Sequence, residues 1–339
     1  SDMVETTTNP YSIISNFTFA ISPTVECVHT WLLLFCGLLS LLLSCLMIIL
    51  IIYRTPMSSR RYRLGLIALQ MCFIIFDAHA CCLFVPIIPL PFFAGYCTGF
   101  LCRVAGMSFH EQFIFMFIVA LETFACFFIC MLQRHQKLLP PSSRAKLSRT
   151  GFRVAINVAV IFSAAGPISF SSAKLSDEDS AKRMEANPEM KWLLEKPGYV
   201  VYSIALRPQL LYIFTYIALV IIVISVLCVI LVVHTSAVIH STTNRSVAAK
   251  RRAQKAMSNL FMQFVAYFSV IFIPVIFILS RAWFTINSHL LFVFALTIFC
   301  IHGLVCSSVA LLMNNTFRML LMAPFRRDKR HSITLGIPP

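Results

Sequence analysis

The chain of 339 residues is 59% hydrophobic and only 12% charged, with a mean hydropathy of +0.84. A soluble domain carries about 25% charged residues, so this composition leaves too little polar surface for a water-soluble globule. The same apolar content excludes a disordered or collagen-like chain.

The formal net charge of +15 has to be read by position, because basic residues of polytopic membrane proteins gather on the cytoplasmic side. Residues 1–27 contain no Lys or Arg, which argues against a signal peptide at this end. Within them Asn16-Phe17-Thr18 is a glycosylation sequon. Seven apolar runs then follow, each close to the length of about 20 residues that a helix needs to cross the hydrocarbon core. They cover approximately 29–53, 64–88, 107–132, 154–171, 208–233, 258–280 and 288–313. The fourth is the shortest and contains Asn157 and Pro167. The runs are continuous, unlike the alternating segments of a transmembrane barrel.

Lys and Arg number 20 in the odd-numbered loops together with the C-terminal tail, against 8 in the even-numbered loops and the N-terminus. Six of those 8 lie in the long fourth loop, where six acids offset them. The expectation is an all-α integral membrane protein. It is a seven-transmembrane helix bundle with its N-terminus outside and its C-terminus inside. One seven-helix domain occupies 1–339, and 314–339 forms a basic cytoplasmic tail on an anionic inner leaflet.

Charged groups at membrane depth need a partner or a polar cavity. Counting along the spans places Asp77, Glu122 and His302 near the midplane of the second, third and seventh spans. They are expected, with His79, to form a ligand pocket floor or a buried polar cluster that holds an ion or water. A purely structural interhelical hydrogen-bond set is the alternative. Asp77 and His79 are two positions apart and do not share a helix face. His110, Glu111, Phe113 and Arg281 fall at the outer ends of spans and are expected to rim an apolar pocket. An acid in a first helical turn is the simpler explanation of Glu111.

No HExxH, GxSxG or Walker A loop occurs, so no enzyme is expected. Most of the 13 cysteines sit in apolar runs without metal-site spacing. No metal, cofactor or nucleic acid is implied. The last span has no Lys between Leu290 and Met313 for a retinal Schiff base. No internal repeat of the kind common in transporters is present.

Three segments carry a resemblance. Pro89-Leu90-Pro91-Phe92-Phe93-Ala94-Gly95-Tyr96-Cys97-Thr98-Gly99 precedes the third span, Gln133-Arg134-His135-Gln136 closes it, and Asn315-Thr316-Phe317-Arg318 follows the seventh. From about Cys27 to Arg327 the chain resembles the nematode chemosensory serpentine receptors, most closely class I with class H as a near relative. The resemblance implies a G-protein-coupled receptor for a small-molecule or odorant cue. It also implies a heterotrimeric G protein as partner, and a place in the plasma membrane of sensory neurons, often in cilia. On this reading Arg134, His135, Lys250, Arg251 and Lys255 face the G protein. The chain departs from rhodopsin-like receptors in having Gln-Arg-His where Asp-Arg-Tyr is usual. It also lacks Asn-Pro-x-x-Tyr in the seventh span, and the loop 172–206 has no cysteine. Without a cysteine there, Cys27 is expected to pair with Cys97 or Cys102, the alternative being free thiols. The competing function is a multi-pass transporter or ligand-gated channel that uses Asp77 and Glu122.

Overall fold

The computed structural model describes residues 21–54, 60–89, 94–173, 177–186, 188–202, 207–241, 246–280, 289–313 and 318–319. Helix α1 is Pro23–Arg54. Helix α2, Arg60–Ala78, continues as a π-helical turn His79–Phe84. After strands β1 (Pro86–Ile87) and β2 (Ala94–Cys97) and the short α3 (Phe100–Arg103) come α4 (Phe109–Leu138) and α5 (Arg149–Ser169). The long fourth loop holds α6 (Asp177–Ala186), a 3₁₀ segment Pro188–Glu195 and strand β3 (Val200–Val201). Helices α7 (Arg207–Ser241) and α8 (Val247–Ser280) follow. The last span is divided into α9 (His289–Cys300) and α10 (His302–Met313), which meet at a bend of 48°.

Six helical segments are long and apolar enough to cross a membrane, and the bent pair makes seven. The protein is therefore a multi-pass membrane protein with a seven-helix fold. Its exposed surface matches that solvent. Trp31, Phe35 and Leu42 on α1 and Ile222, Val226, Ile230 and Val233 on α7 are all more than half exposed, which a bilayer accepts and water does not.

Helix α4 is the central element and packs against α2, α5, α7 and α8, while α1 packs on α2 and α10. The largest core cluster includes Phe73 and Phe76 of α2, Phe124 and Phe127 of α4, and Tyr267 of α8. Tyr267 also donates from its hydroxyl to the Ala120 carbonyl at 2.6 Å, so the ring is fixed in rotation as well as buried.

One end of the bundle carries a lid. The three strands form an antiparallel sheet in the order β1-β2-β3, with Ile87 opposite Tyr96 and Ala94 opposite Val201. No strand was expected from the sequence, and the reason is length: strands of two to four residues leave no periodic trace. A second apolar cluster joins Ile21, Ile87, Tyr96, Met184, Met190, Leu193 and Val201 across the lid. Gly198, at φ 61°, supplies the left-handed turn that leads into β3.

Of the helices that start at the lid end, α1 and α4 open with acids, Glu26 and Glu111, while α7 and α9 have none in their first turns. Those starting at the opposite end, α2, α5 and α8, have no acid in the first turn and carry Arg60, Arg149 or Lys250 near their starts. A cation at a helix N-terminus opposes the macrodipole.

Candidate functional site

The site is a polar seam between the first, second and seventh spans. Ser40 and Ser44 lie four residues apart on α1, Gln70 and Asp77 seven apart on α2, and Gly303 and Ser307 four apart on α10. Each spacing returns the side chains to one helix face. At mid-span Ser40 Oγ donates to Asp77 Oδ2, and the Gly303 backbone N–H donates to the same carboxyl. A Cβ at position 303 would lie 2.0 Å from Asp77 Oδ2, so only glycine lets the carboxyl sit against α10. One turn further from the lid, Ser307 Oγ donates to Gln70 Oε1 at 3.4 Å. The single Ser307 proton is then used, and the Ser44 hydroxyl donates to Ser307 Oγ across 3.2 Å.

The break in the seventh span is part of this seam. His302 Nδ1 donates to the Phe299 carbonyl at 3.0 Å. In an unbroken helix that carbonyl would accept the Gly303 N–H, which here turns to Asp77 instead. The Cys300 carbonyl, also released, is met by Cys81 Sγ of the π-helical turn at 3.6 Å. A side chain inserted in the backbone ladder is a recognised cause of a sharp bend, and here the released groups find partners on α2 and its extension. His302 is fully buried, and its ring lies 4.2 Å from that of Phe76 and 5.0 Å from that of Tyr267. Among the described residues, Asp77 Oδ1 and His302 Nε2 are buried polar atoms without a hydrogen-bond partner.

Glu122 is not in this set. It lies half-buried on α4 and accepts from Ser163 Oγ of α5 at 2.8 Å. The seam lies between α1, α2 and α10, whereas Glu122 faces α5; position along the span gives depth without azimuth. His79 points to α4, where Nε2 donates to the Gln112 carbonyl at 3.0 Å, and its ring contacts Phe84 and Phe115.

An aromatic column connects the lid to the break. Ring centroids are separated by 5.1 Å from Phe84 to Phe109, 5.1 Å from Phe109 to Phe113, 4.5 Å from Phe113 to Phe117 and 6.3 Å from Phe117 to Phe299. His110 is buried rather than rimming a pocket: Nε2 donates to the Ser171 carbonyl at 3.2 Å, so Nδ1 accepts from the Tyr202 hydroxyl at 3.0 Å. Burial pushes the Tyr202 phenol above its ordinary value, which keeps it a donor. Glu111 is exposed and forms a capping box with Ser108, the simpler of the two readings of that acid. Arg281 and the sequon residue Asn16 lie outside the described residues, as does the tail except 318–319.

The disulfide differs from expectation. Cys97 is bonded to Cys102, with 5.9 Å between their Cα atoms, and Cys27 is an exposed free thiol. Cys97 ends β2 and Cys102 lies on α3, so the turn at Gly99 brings them together locally. The N-terminal segment is instead tied to the lid by charge: Glu26 Oε2 accepts from Lys196 Nζ at 2.7 Å and from the Tyr96 hydroxyl at 3.0 Å.

At the basic end, Arg134, His135 and Gln136 of the Gln-Arg-His-Gln segment are all held by neighbouring groups. The Arg134 guanidinium stacks 4.2 Å over the Tyr62 ring of α2. His135, expected on the surface, is buried: Gln136 donates to its Nδ1, so Nε2 donates to His234 Nδ1 of α7 at 2.7 Å. Gln136 donates to the Ala145 carbonyl and accepts from the Leu147 N–H. Lys250, Arg251 and Lys255 lie on the first turns of α8, with Arg251 and Lys255 exposed.

The sequence reading missed Ser40, Gly303, Tyr267 and the serine–glutamine pair below Asp77. The four-residue and seven-residue spacings of small and polar residues were a legible trace of the seam. Nothing in the sequence marked Tyr267 among the other aromatics.

A family model described as serpentine type 7TM GPCR chemoreceptor Sri matches residues 21–321. No curated protein matches the chain.

Proposed function

Because the chain belongs to the Sri family of serpentine 7TM GPCR chemoreceptors, we propose that it binds a small-molecule or odorant cue near the lid and activates a heterotrimeric G protein at its basic end. The family match over 21–321 is the observation that carries this reading. The lid end faces outside and the basic end faces the cytosol and its anionic leaflet, an orientation supported by the count of Lys and Arg. On this reading the receptor is of nematode class I and resides in the plasma membrane of a sensory cell.

The aromatic column from Phe84 through Phe113 to Phe299 is the apolar part of the ligand region, and it ends at the break in the seventh span. Asp77 and His302 form its polar floor, where the partnerless Oδ1 and Nε2 atoms meet an ion, a water or a polar ligand group. Ligand binding shifts the balance between two arrangements of this seam only to the extent that it binds them unequally. Arg134, held over Tyr62 in this arrangement, is released toward the G protein in the other. Lys250, Arg251 and Lys255 add cationic contacts to it.

The test is a small-molecule panel applied to cells that express the receptor with a promiscuous G protein reporter. An active compound should lose its effect in Asp77→Ala and His302→Ala at unchanged surface level. Full retention in both would remove the seam from the mechanism. A channel or transporter reading gains no support from the site, since Glu122 and Asp77 have separate partners. Solute or ion flux through receptor-loaded liposomes would reinstate it.

A further inference from the structure

At the basic end the loop 139–148 joins α4 to α5. Gln136, in the last turn of α4, supplies two of the bonds that hold it. Its Oε1 accepts from the Leu147 N–H at 2.8 Å, and its Nε2 donates to the Ala145 carbonyl at 3.0 Å. A backbone N–H only donates and a carbonyl only accepts, so this pair of contacts fixes which way the Gln136 amide points. The same Nε2 lies 3.3 Å from His135 Nδ1. A ring nitrogen met by a donor is the unprotonated one, so the His135 proton is on Nε2 and goes to His234 Nδ1 of α7 at 2.7 Å. His234 is therefore the last acceptor in a directed chain of hydrogen bonds that begins at the loop backbone.

The two histidines differ in access. His135 is buried and His234 is exposed, so a proton arriving from water reaches His234 first. Histidine is the side chain that gains its charge as pH falls from 8 to 5. The segments 133–153 and 234–257 contain no Asp or Glu to hold that charge. The charged group that acts on His135 is the Lys146 ammonium, which donates to the Gln136 and Leu139 carbonyls at the end of α4. A proton added to the pair therefore stays on His234 and not on the buried ring beside Lys146.

We propose that His234, His135 and Gln136 form a proton-operated latch on the loop 139–148. When His234 binds a proton at Nδ1, that nitrogen becomes a donor and faces the Nε2–H of His135. The contact is restored only when His135 accepts at Nε2, with its own proton moved to Nδ1. The His135 ring stays neutral, and the pair has gained one proton. Nδ1–H now faces the amide nitrogen of Gln136, so the amide turns over to present Oε1. That turn sets Nε2 against the Leu147 N–H and Oε1 against the Ala145 carbonyl, and both loop bonds are lost. Neutral pH holds the loop and acid releases it. The loop lies at the end where Arg134 is proposed to meet a G protein, so the latch makes that surface sensitive to the pH of the compartment it faces.

The experiment is hydrogen exchange of the full chain in lipid nanodiscs at pH 7.5 and 5.5, read at the Leu147 amide and corrected for the intrinsic rate at each pH. Protection there should fall about tenfold at pH 5.5. In His234→Gln the side-chain carbonyl accepts from His135 but takes up no proton, so protection should be equal at the two pH values. Wild-type protection that does not change with pH would overturn the proposal, and so would a fall of the same size in His234→Gln. A second measurement follows the ring itself. In spectra of receptor carrying nitrogen-15 histidine, His135 should hold its proton on Nε2 at pH 7.5 and on Nδ1 at pH 5.5. A ring that keeps Nε2–H at both would overturn the reversal whatever the loop does. Neither readout needs a ligand or a G protein, so a failure here leaves the receptor reading intact.

Discussion

Asp77 sits against α10 only because position 303 has no side chain. Gly303→Ala would force a Cβ into the carboxyl, an overpacking of the kind that costs about 1–3 kcal/mol. The detergent-solubilised variant should melt several degrees below wild type, and an unchanged melting temperature would mean that the helices separate there at no cost. Ser40→Ala removes a direct donor to the carboxyl and should cost about 2 kcal/mol, measured in the same assay. The two effects should not be additive, because both act on one carboxyl. Tyr96 gives a pH dependence outside the membrane spans. Burial, reinforced by the Glu26 carboxylate, raises its phenol above the ordinary value. The unfolded phenol loses its proton near pH 10 while the folded one keeps it. Its contribution is therefore complete below about pH 10 and is lost as pH rises toward the folded value. Between pH 9 and 11 wild type should lose more thermal stability than Tyr96→Phe, which has no proton to release there.

At the scale of elements, the 48° break in the seventh span follows from a competition for one carbonyl. His302 takes the Phe299 oxygen, and the Gly303 N–H is left for Asp77. His302→Phe retains a ring among Phe76 and Tyr267 but returns that oxygen to the backbone ladder. Its cryo-EM structure should show α9 and α10 closer to collinear, and a persisting bend would assign the break to the Gly303 contact alone. The π-helical extension of α2 belongs to the same arrangement, since Cys81 lies on it and meets the Cys300 carbonyl. It closes on Val85, a β-branched residue at φ 47°. That conformation costs about 1–2 kcal/mol, and it turns the chain into β1 and the lid. The lid in turn carries its own covalent closure. A non-reducing digest should yield a peptide linked through Cys97 and Cys102 and an alkylated Cys27, and a Cys27 crosslink would contradict the lid as described.

For the whole molecule, an odd number of crossings puts the termini on opposite faces. Epitopes at the two ends should be accessible from opposite sides of intact cells, with the N-terminal one outside and Asn16 glycosylated. Accessibility of both from one side would remove the seven-span reading. The bundle is centred on α4, whose two ends carry different chemistry: His110 and the capping box under the lid, Arg134 and His135 at the basic end. A single rigid helix of 30 residues therefore connects the proposed ligand region with the proposed G protein surface.

Membrane residence, the number of spans and the family resemblance were legible in the sequence. The reason is that a bilayer forces each crossing segment to satisfy its own backbone, so a one-dimensional run of apolar residues is enough to mark a helix. The partners of Asp77, Glu122 and His302 were not legible. Lipid and protein interior are equally apolar, so hydropathy does not fix which way a transmembrane helix faces. Only packing sent Asp77 to Ser40 and Gly303, Glu122 to Ser163, and His302 into the backbone of its own span. The lid followed the same logic, because its strands and the Cys97–Cys102 bond depend on contacts between segments that hold almost no local signal.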